Sequence, residues 1–368
     1  MNSQIFKYNY PFSLENTKTL QGFELAYSTW GTLNAEKNNV VWICHALTAN
    51  ADAADWWKGL VGENDFINPQ EHFIVCANML GSCYGSTGAL SKNPKTNEPY
   101  YADFPQVTVR DMARALDLLS REMGIVRINL CIGGSMGGQQ AMEWAILQPE
   151  LIENLVLIAT NAKHSAWGIA FNESQRLAIQ ADKTWQDNRP DAGQAGLKAA
   201  RSIALLSYRN AEAYNDTQED EDNEKIDNFK AISYQNYQGQ KLVNRFNVVS
   251  YITLLNAMDS HNVGRSRGGV AAALQKIKAN TLVIGVKSDI LFPTTEQVSL
   301  AYHIPKATYK EIDSTYGHDG FLIETEKITN LLNRFLHKTF KAEVAISIDN
   351  KIENKAENQT EKLFRKAV

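Results

Sequence analysis

The stretch Gly133-Gly134-Ser135-Met136-Gly137 constrains this chain more than any other. It fits the pattern G-x-S-x-G, and its flanks give the pattern meaning. The residues before it, Val126-Arg127-Ile128-Asn129-Leu130-Cys131-Ile132, form a short apolar run with strand character. Those after it, Gln139-Gln140-Ala141-Met142-Glu143-Trp144-Ala145-Ile146, favour a helix with an apolar face. A serine on a sharp turn between a strand and a helix lifts its hydroxyl above the sheet. Small neighbours are needed there, because a Cβ would collide with the adjoining strand or helix. The helix start also places free amides beside the serine, where negative charge can be stabilised. A Gly-rich turn without chemistry has the same letters, so the partners of the serine must decide. A nucleotide-binding turn fits less well: the glycines do not fall as G-x-G-x-x-G, and no Gly-Lys-Ser/Thr follows.

Further apolar runs are Val40-Val41-Trp42-Ile43-Cys44, Phe73-Ile74-Val75-Cys76, Leu155-Val156-Leu157-Ile158 and Leu282-Val283-Ile284-Gly285-Val286. Strands this continuously apolar are buried on both faces, which means a parallel sheet with helices on each side. Met112, Ala115, Leu116, Leu119 and Met123 recur at helical spacing, as do Ile328, Leu331, Leu332 and Phe335. Alternation of such strands and helices predicts an α/β doubly wound fold. The alternation stops between residues 163 and 278, where helical segments such as Val248-Tyr251-Ile252-Leu255-Met258 replace strands. The expected organisation is a core of residues 1–162 and 279–341, a helical lid inserted at 163–278, and a flexible polar tail at 342–368. The acidic run Asp216–Glu224 reads as a solvated loop, since like charges repel.

Composition excludes several classes. The chain has 368 residues, is 44% hydrophobic and carries a formal net charge of -4. No basic stretch interleaved with aromatics supports nucleic-acid binding. No segment approaches about 20 uninterrupted apolar residues, so no membrane span is expected. The first residues carry no apolar signal region. The four cysteines form no C-x-x-C pair, and neither a structural metal nor a permanently bound cofactor is expected. A cytoplasmic enzyme with reduced thiols follows.

A serine nucleophile needs a base and a residue to orient the base. On sheets with such an elbow the chain order is serine, acid, histidine. Asp289 lies a few residues after the run ending at Val286. His318 follows the strand-like Tyr309-Lys310-Glu311-Ile312-Asp313 and precedes the last amphipathic helix. Both placements suit loops at the carboxyl ends of strands. Among the seven histidines, His72, His303 and His337 stand in polar or helical contexts, and His164 and His261 fall in the lid. His45 precedes the elbow and breaks the order. The expected catalytic set is therefore Ser135, Asp289 and His318. The loop Cys44-His45-Ala46-Leu47-Thr48 occupies the place that supplies a second oxyanion amide, so the backbone N–H groups of Leu47 and Met136 are the expected donors.

Several further stretches give the chain a resemblance. They include His45-Ala46-Leu47-Thr48, Asn78-Met79-Leu80-Gly81-Ser82-Cys83-Tyr84-Gly85-Ser86-Thr87-Gly88, Thr108-Val109-Arg110-Asp111-Met112, Gly133–Gly138 with Gln140–Ala145, Tyr237-Gln238-Gly239, Arg245-Phe246, Ala257-Met258-Asp259 and Gly317-His318-Asp319. Spanning roughly Tyr8 to Phe340, the chain resembles the homoserine O-acyltransferases of the α/β-hydrolase fold. The resemblance implies an inserted lid, a homodimer, and a role in methionine biosynthesis. It implies a two-step transfer from acetyl-CoA to L-homoserine through an acyl-Ser135. It also implies two substrate contacts: Arg201 for the carboxylate and Asp319 for the ammonium of the amino acid. Read without the resemblance, Arg201 is a surface helix residue and Asp319 a turn residue. The chain departs from the family at Gly81-Ser82-Cys83, where Gly-Gly-Cys is common. It departs again after Leu47-Thr48, where the usual glycine and histidine are absent. Some members use succinyl-CoA, but Cys83–Gly88 looks more like the acetyl type. An esterase or amidase with the same three residues is the competing expectation.

Overall fold

The computed structural model describes residues 3–337. Two compact units are defined by chain contacts, Met1–Thr325 and Glu326–Val368. The first unit is built on an eight-stranded sheet. Its strands are β1 (Ser3–Tyr8), β2 (Phe23–Trp30), β3 (Val40–Cys44), β4 (Phe73–Ala77), β5 (Ile128–Gly134), β6 (Ile152–Ile158), β7 (Asn280–Val286) and β8 (Ala307–Ile312). Their order across the sheet is β1-β2-β4-β3-β5-β6-β7-β8. The pairs β1–β2 and β2–β4 are antiparallel and the remaining pairs are parallel.

The central strands are those with the most continuous apolar runs. Every residue of β3 is buried, and β5 aligns Cys44 with Gly133 across one edge and Gly134 with Ile158 across the other. Helices α1 (Val109–Glu122) and α2 (Met136–Leu147) follow β4 and β5. The Thr108 side chain accepts from the Asp111 amide and the Asp111 carboxylate from the Thr108 amide, a reciprocal cap of about 1 kcal/mol. Met112, Ala115, Leu116 and Leu119 form the buried face of α1, as their spacing requires. Trp42 of β3 meets Trp144 of α2 edge to face at 4.8 Å, a contact adding about 1 kcal/mol beyond its buried area.

Between β6 and β7 the chain is helical: α3 (Ala166–Gln180), α4 (Gln194–Tyr208), α5 (Ala211–Gln218), α6 (Lys230–Val243), α7 (Val248–Asp259) and α8 (Val270–Leu274). The Tyr251 hydroxyl of α7 donates to Gln175 of α3 at 2.5 Å. The acidic run is the expected solvated loop from Glu219 to Glu224 and departs from it only at its start. Its first part belongs to α5, which Asn210 caps, and Asp220 accepts from the Lys225 ammonium and, at 3.0 Å, from the Lys230 amide. Nearby cations offset the repulsion that the sequence suggested. Helix α9 (Thr294–His303) joins β7 to β8. In the second unit the chain is helical through residue 337, and the expected tail at 342–368 lies outside the described residues. Among those described, no helix is long and apolar enough to cross a membrane.

Candidate active site

Ser135 stands between β5 and α2 with φ 56° and ψ -128°. A positive φ is costly for a residue with a Cβ and persists only where the surroundings impose it. Here they do. The Ser135 amide donates to the Ile158 carbonyl at 2.9 Å, and the Thr160 hydroxyl donates to the Ser135 carbonyl at 2.8 Å. Packing closes the remaining freedom: a Cβ on Gly137 would lie 2.0 Å from the Cys44 carbonyl oxygen, and one on Gly134 would lie 2.4 Å from the Phe321 ring. The motif glycines are thus the condition for bringing α2 against β3.

Asp289 follows β7 and His318 follows β8. His318 Nδ1 is 2.6 Å from Asp289 Oδ2, and both residues are buried. Asp289 Oδ1 accepts from the amides of Leu291 at 2.8 Å and Phe292 at 2.9 Å, which fixes the carboxylate. Ser288 ties the two loops together, donating to the Ser314 carbonyl and accepting from the Gly317 amide at 3.1 Å. Phe292 stacks on the imidazole at 5.0 Å between centroids, and Phe321 meets it edge-on at 5.3 Å. The ring therefore has one hydrogen-bonded edge and two apolar neighbours.

Ser135 and His318 face one cavity of about 430 Å³. Leu47, Arg201 and Asp319 line it as well, so the structure gathers residues that stand far apart in the chain. Asp289 lies behind His318. Met136 opens α2 directly after Ser135, so its amide has no acceptor within that helix. On the other wall, His45 is completely buried and bonds through Nδ1 to the Ala46 carbonyl at 2.9 Å, while its Nε2 accepts from the Met79 amide at 3.1 Å. Burial holds its pKa down to about 4, so the ring is neutral. The Ala46 carbonyl belongs to the same peptide plane as the Leu47 N–H, so this bond sets that amide's direction.

The cavity is charged on both signs: Arg201, Lys241 and Arg245 against Asp55 and Asp319. Arg201 lies over the Tyr208 ring at 5.3 Å, two turns along α4. Asp319 accepts from Arg209 Nε at 2.8 Å, so one carboxylate oxygen is already engaged. Sequence reasoning overlooked Arg209, Tyr208, Lys241 and Asp55. Tyr208 had a usable signal, since seven residues from Arg201 on a helix is the same face. Arg209 had none, because its partner is 110 positions away. No group of three or more side chains suited to a metal ion occurs among the described residues.

Residues 39–325 match the family model described as the alpha/beta hydrolase fold. A homoserine O-acetyltransferase from Cyclobacterium marinum is 51% identical over 335 residues, which cover 91% of this chain and 95% of the relative. This chain belongs to the homoserine O-acetyltransferase family. Among solved structures, a homoserine O-acetyltransferase from Bacillus anthracis superposes with a TM-score of 0.84 at 26% identity, covering 91% of this chain and 97% of that one. The acetyl esterase MekB superposes with a TM-score of 0.81 at 23% identity over 92% of this chain and 97% of its own, a likeness of fold alone. Homoserine O-acetyltransferases and esterases thus share this frame, so the fold by itself does not choose between transfer and hydrolysis.

Proposed function

We propose that this chain transfers an acetyl group from acetyl-CoA to the hydroxyl of L-homoserine, through an acetyl-Ser135 intermediate, to give O-acetyl-L-homoserine and CoA for methionine biosynthesis. The 51% identity to a homoserine O-acetyltransferase across nearly the whole of both chains carries the reading. The geometry supports it step by step. With Asp289 accepting from Nδ1, the neutral imidazole of His318 keeps Nε2 free to take the Ser135 proton. Ser135 Oγ then attacks the thioester carbonyl. The resulting oxyanion meets the amides of Leu47 and Met136, each such donor being worth about 10²–10³ in rate. Collapse of the intermediate expels the CoA thiolate, which leaves with the proton held on His318. In the second step His318 takes the proton of the homoserine hydroxyl as that oxygen attacks the acetyl carbonyl, and returns it to Ser135 Oγ as the C–O bond breaks.

Arg201 suits the carboxylate of the acceptor: it lines the cavity, and its guanidinium rests on the Tyr208 ring. Asp319 suits the ammonium, with Arg209 holding one oxygen and leaving the other to the substrate. A zwitterion matched on both ends is favoured over a neutral alcohol or water, and this is how transfer would prevail over hydrolysis. CoA is a co-substrate here; the reading requires no resident cofactor. A cytoplasmic homodimer completes the reading. Leu206, Ile232 and Tyr237, all on the inserted helices and all more than half exposed, support a partner at that surface.

The experiment separates acyl transfer from its rivals. Protein mixed with acetyl-CoA alone should gain one acetyl group on the peptide containing Ser135. Adding L-homoserine should clear the adduct and yield O-acetylhomoserine. Equal clearance by water would make the protein a hydrolase, and much faster labelling by succinyl-CoA would overturn the choice of donor.

A further inference from the structure

Arg245 lines the cavity, yet acyl transfer as described gives it no task. It lies two residues beyond α6, in the inserted helical segment. Its Nη1 donates to the Thr48 carbonyl and, at 2.6 Å, to the Tyr84 hydroxyl, while Nη2 reaches Thr48 Oγ1 at 3.4 Å. The backbone beneath it is also braced. The Arg245 carbonyl accepts from Cys83 Sγ at 3.6 Å, and Phe246 meets the Tyr84 ring edge to face at 5.6 Å. Asn78 couples the two loops that the guanidinium spans: its Oδ1 accepts from the Ala51 amide at 2.8 Å and its Nδ2 donates to the Tyr84 carbonyl at 2.7 Å.

Thr48 follows Leu47 directly. His45 secures the peptide plane on the near side of Leu47, through the Ala46 carbonyl. On the far side, the Ala49 amide donates to the same Ala46 carbonyl at 3.0 Å and closes a turn over Leu47 and Thr48. Arg245 takes the Thr48 carbonyl oxygen, which lies in the same peptide plane as the Ala49 amide, and so ties this turn to the inserted segment. We propose that Arg245 is a positioning residue that locks the Leu47–Thr48 turn, so that the Leu47 amide is presented to the oxyanion only while the inserted helices hold the loop. The inference rests on the acyl-transfer reading and adds to it a device that makes catalysis depend on the inserted segment.

An oxyanion site serves both tetrahedral intermediates, and this sets the test. Arg245→Ala should slow acetylation of Ser135 by acetyl-CoA and clearance by L-homoserine by the same factor, about 10–100-fold for a donor displaced by around an ångström. The KM values of both substrates should stay within about 2-fold, because the loss falls on the transition state. Arg245→Lys, which keeps the charge but loses the fork, should be slowed to an intermediate degree and carries the same test if the alanine variant does not fold. Free guanidinium at a sub-denaturing concentration should restore part of the rate to Arg245→Ala. A rise in KM for homoserine alone would make Arg245 an acceptor contact, and one for acetyl-CoA alone a donor contact; either overturns the proposal. So would unchanged rates with a lowered melting temperature. Should the unaltered protein fail to acetylate Ser135, the acyl-transfer reading falls. Should it acetylate while Arg245→Ala does so equally fast, only the present inference falls.

Discussion

Acid should destabilise this protein through His45. Burial lowers the pKa of the folded-state ring to about 4, from an ordinary value of 6.5. The unfolded chain therefore takes up a proton near 6.5, and the folded chain only near 4. Between those values the unfolded state binds close to one proton more, so falling pH favours unfolding. The contribution is complete above 6.5, is lost as pH falls through the window, and is level below 4. At about 1.4 kcal/mol per pH unit and per proton, the window amounts to about 3 kcal/mol. His164, lowered to about 4, and His261, lowered to about 3, act in the same direction for the same reason. Comparison with a variant isolates His45. His45→Gln removes the titration and disturbs the bond from the Met79 amide, so it should be less stable by about 1–3 kcal/mol near neutrality. Urea unfolding of both proteins, followed by fluorescence from about pH 7 down to about pH 4.5, should show the two stability curves converging toward acid. Parallel curves would mean that the ring is protonated in the folded state, and the account of a neutral clamp beneath Leu47 would be wrong.

Two further outcomes test the candidate site. Asp289→Asn should leave the fold intact but favour the wrong imidazole tautomer; kcat should fall by about 10⁴, read as the rate of Ser135 acetylation. A loss below tenfold would remove Asp289 from the catalytic set. Arg201→Ala should raise KM for L-homoserine by at least about 10-fold while acetylation by acetyl-CoA proceeds at its normal rate; slower acetylation would place the arginine on the donor side.

Local patterns carried the sheet and the elbow. The run Val40–Cys44 coincides with a strand whose every residue is buried, and such a strand advertises itself by having no polar face. Asp289 and His318 were legible because strand ends and chain order are local properties that imply a common rim. The N-terminal pair β1 and β2 was not legible. In β1 only Phe6 is buried, so an edge strand exposed along most of its length shows no apolar alternation. His45 was set aside because its position in the chain excludes it as the base, and nothing in the sequence revealed that its ring would be sealed between the Ala46 carbonyl and the Met79 amide. Pairings such as Arg209 with Asp319 and Arg245 with Thr48 join segments more than a hundred residues apart. Propensity and periodicity do not reach that far; the topology of the sheet brings such partners together.

The position of the helical insertion, after β6 and before β7, also sets a timetable for reactivity. A growing polypeptide makes the turn at Ser135 well before it contains Asp289 or His318. Roughly 180 residues of synthesis separate serine from imidazole, about 10–40 s at ordinary elongation rates. Throughout that interval the hydroxyl has neither a proton acceptor nor a carboxylate behind one. Under the proposed mechanism, then, the nascent chain should not consume thioester before the last strand of the sheet is in place.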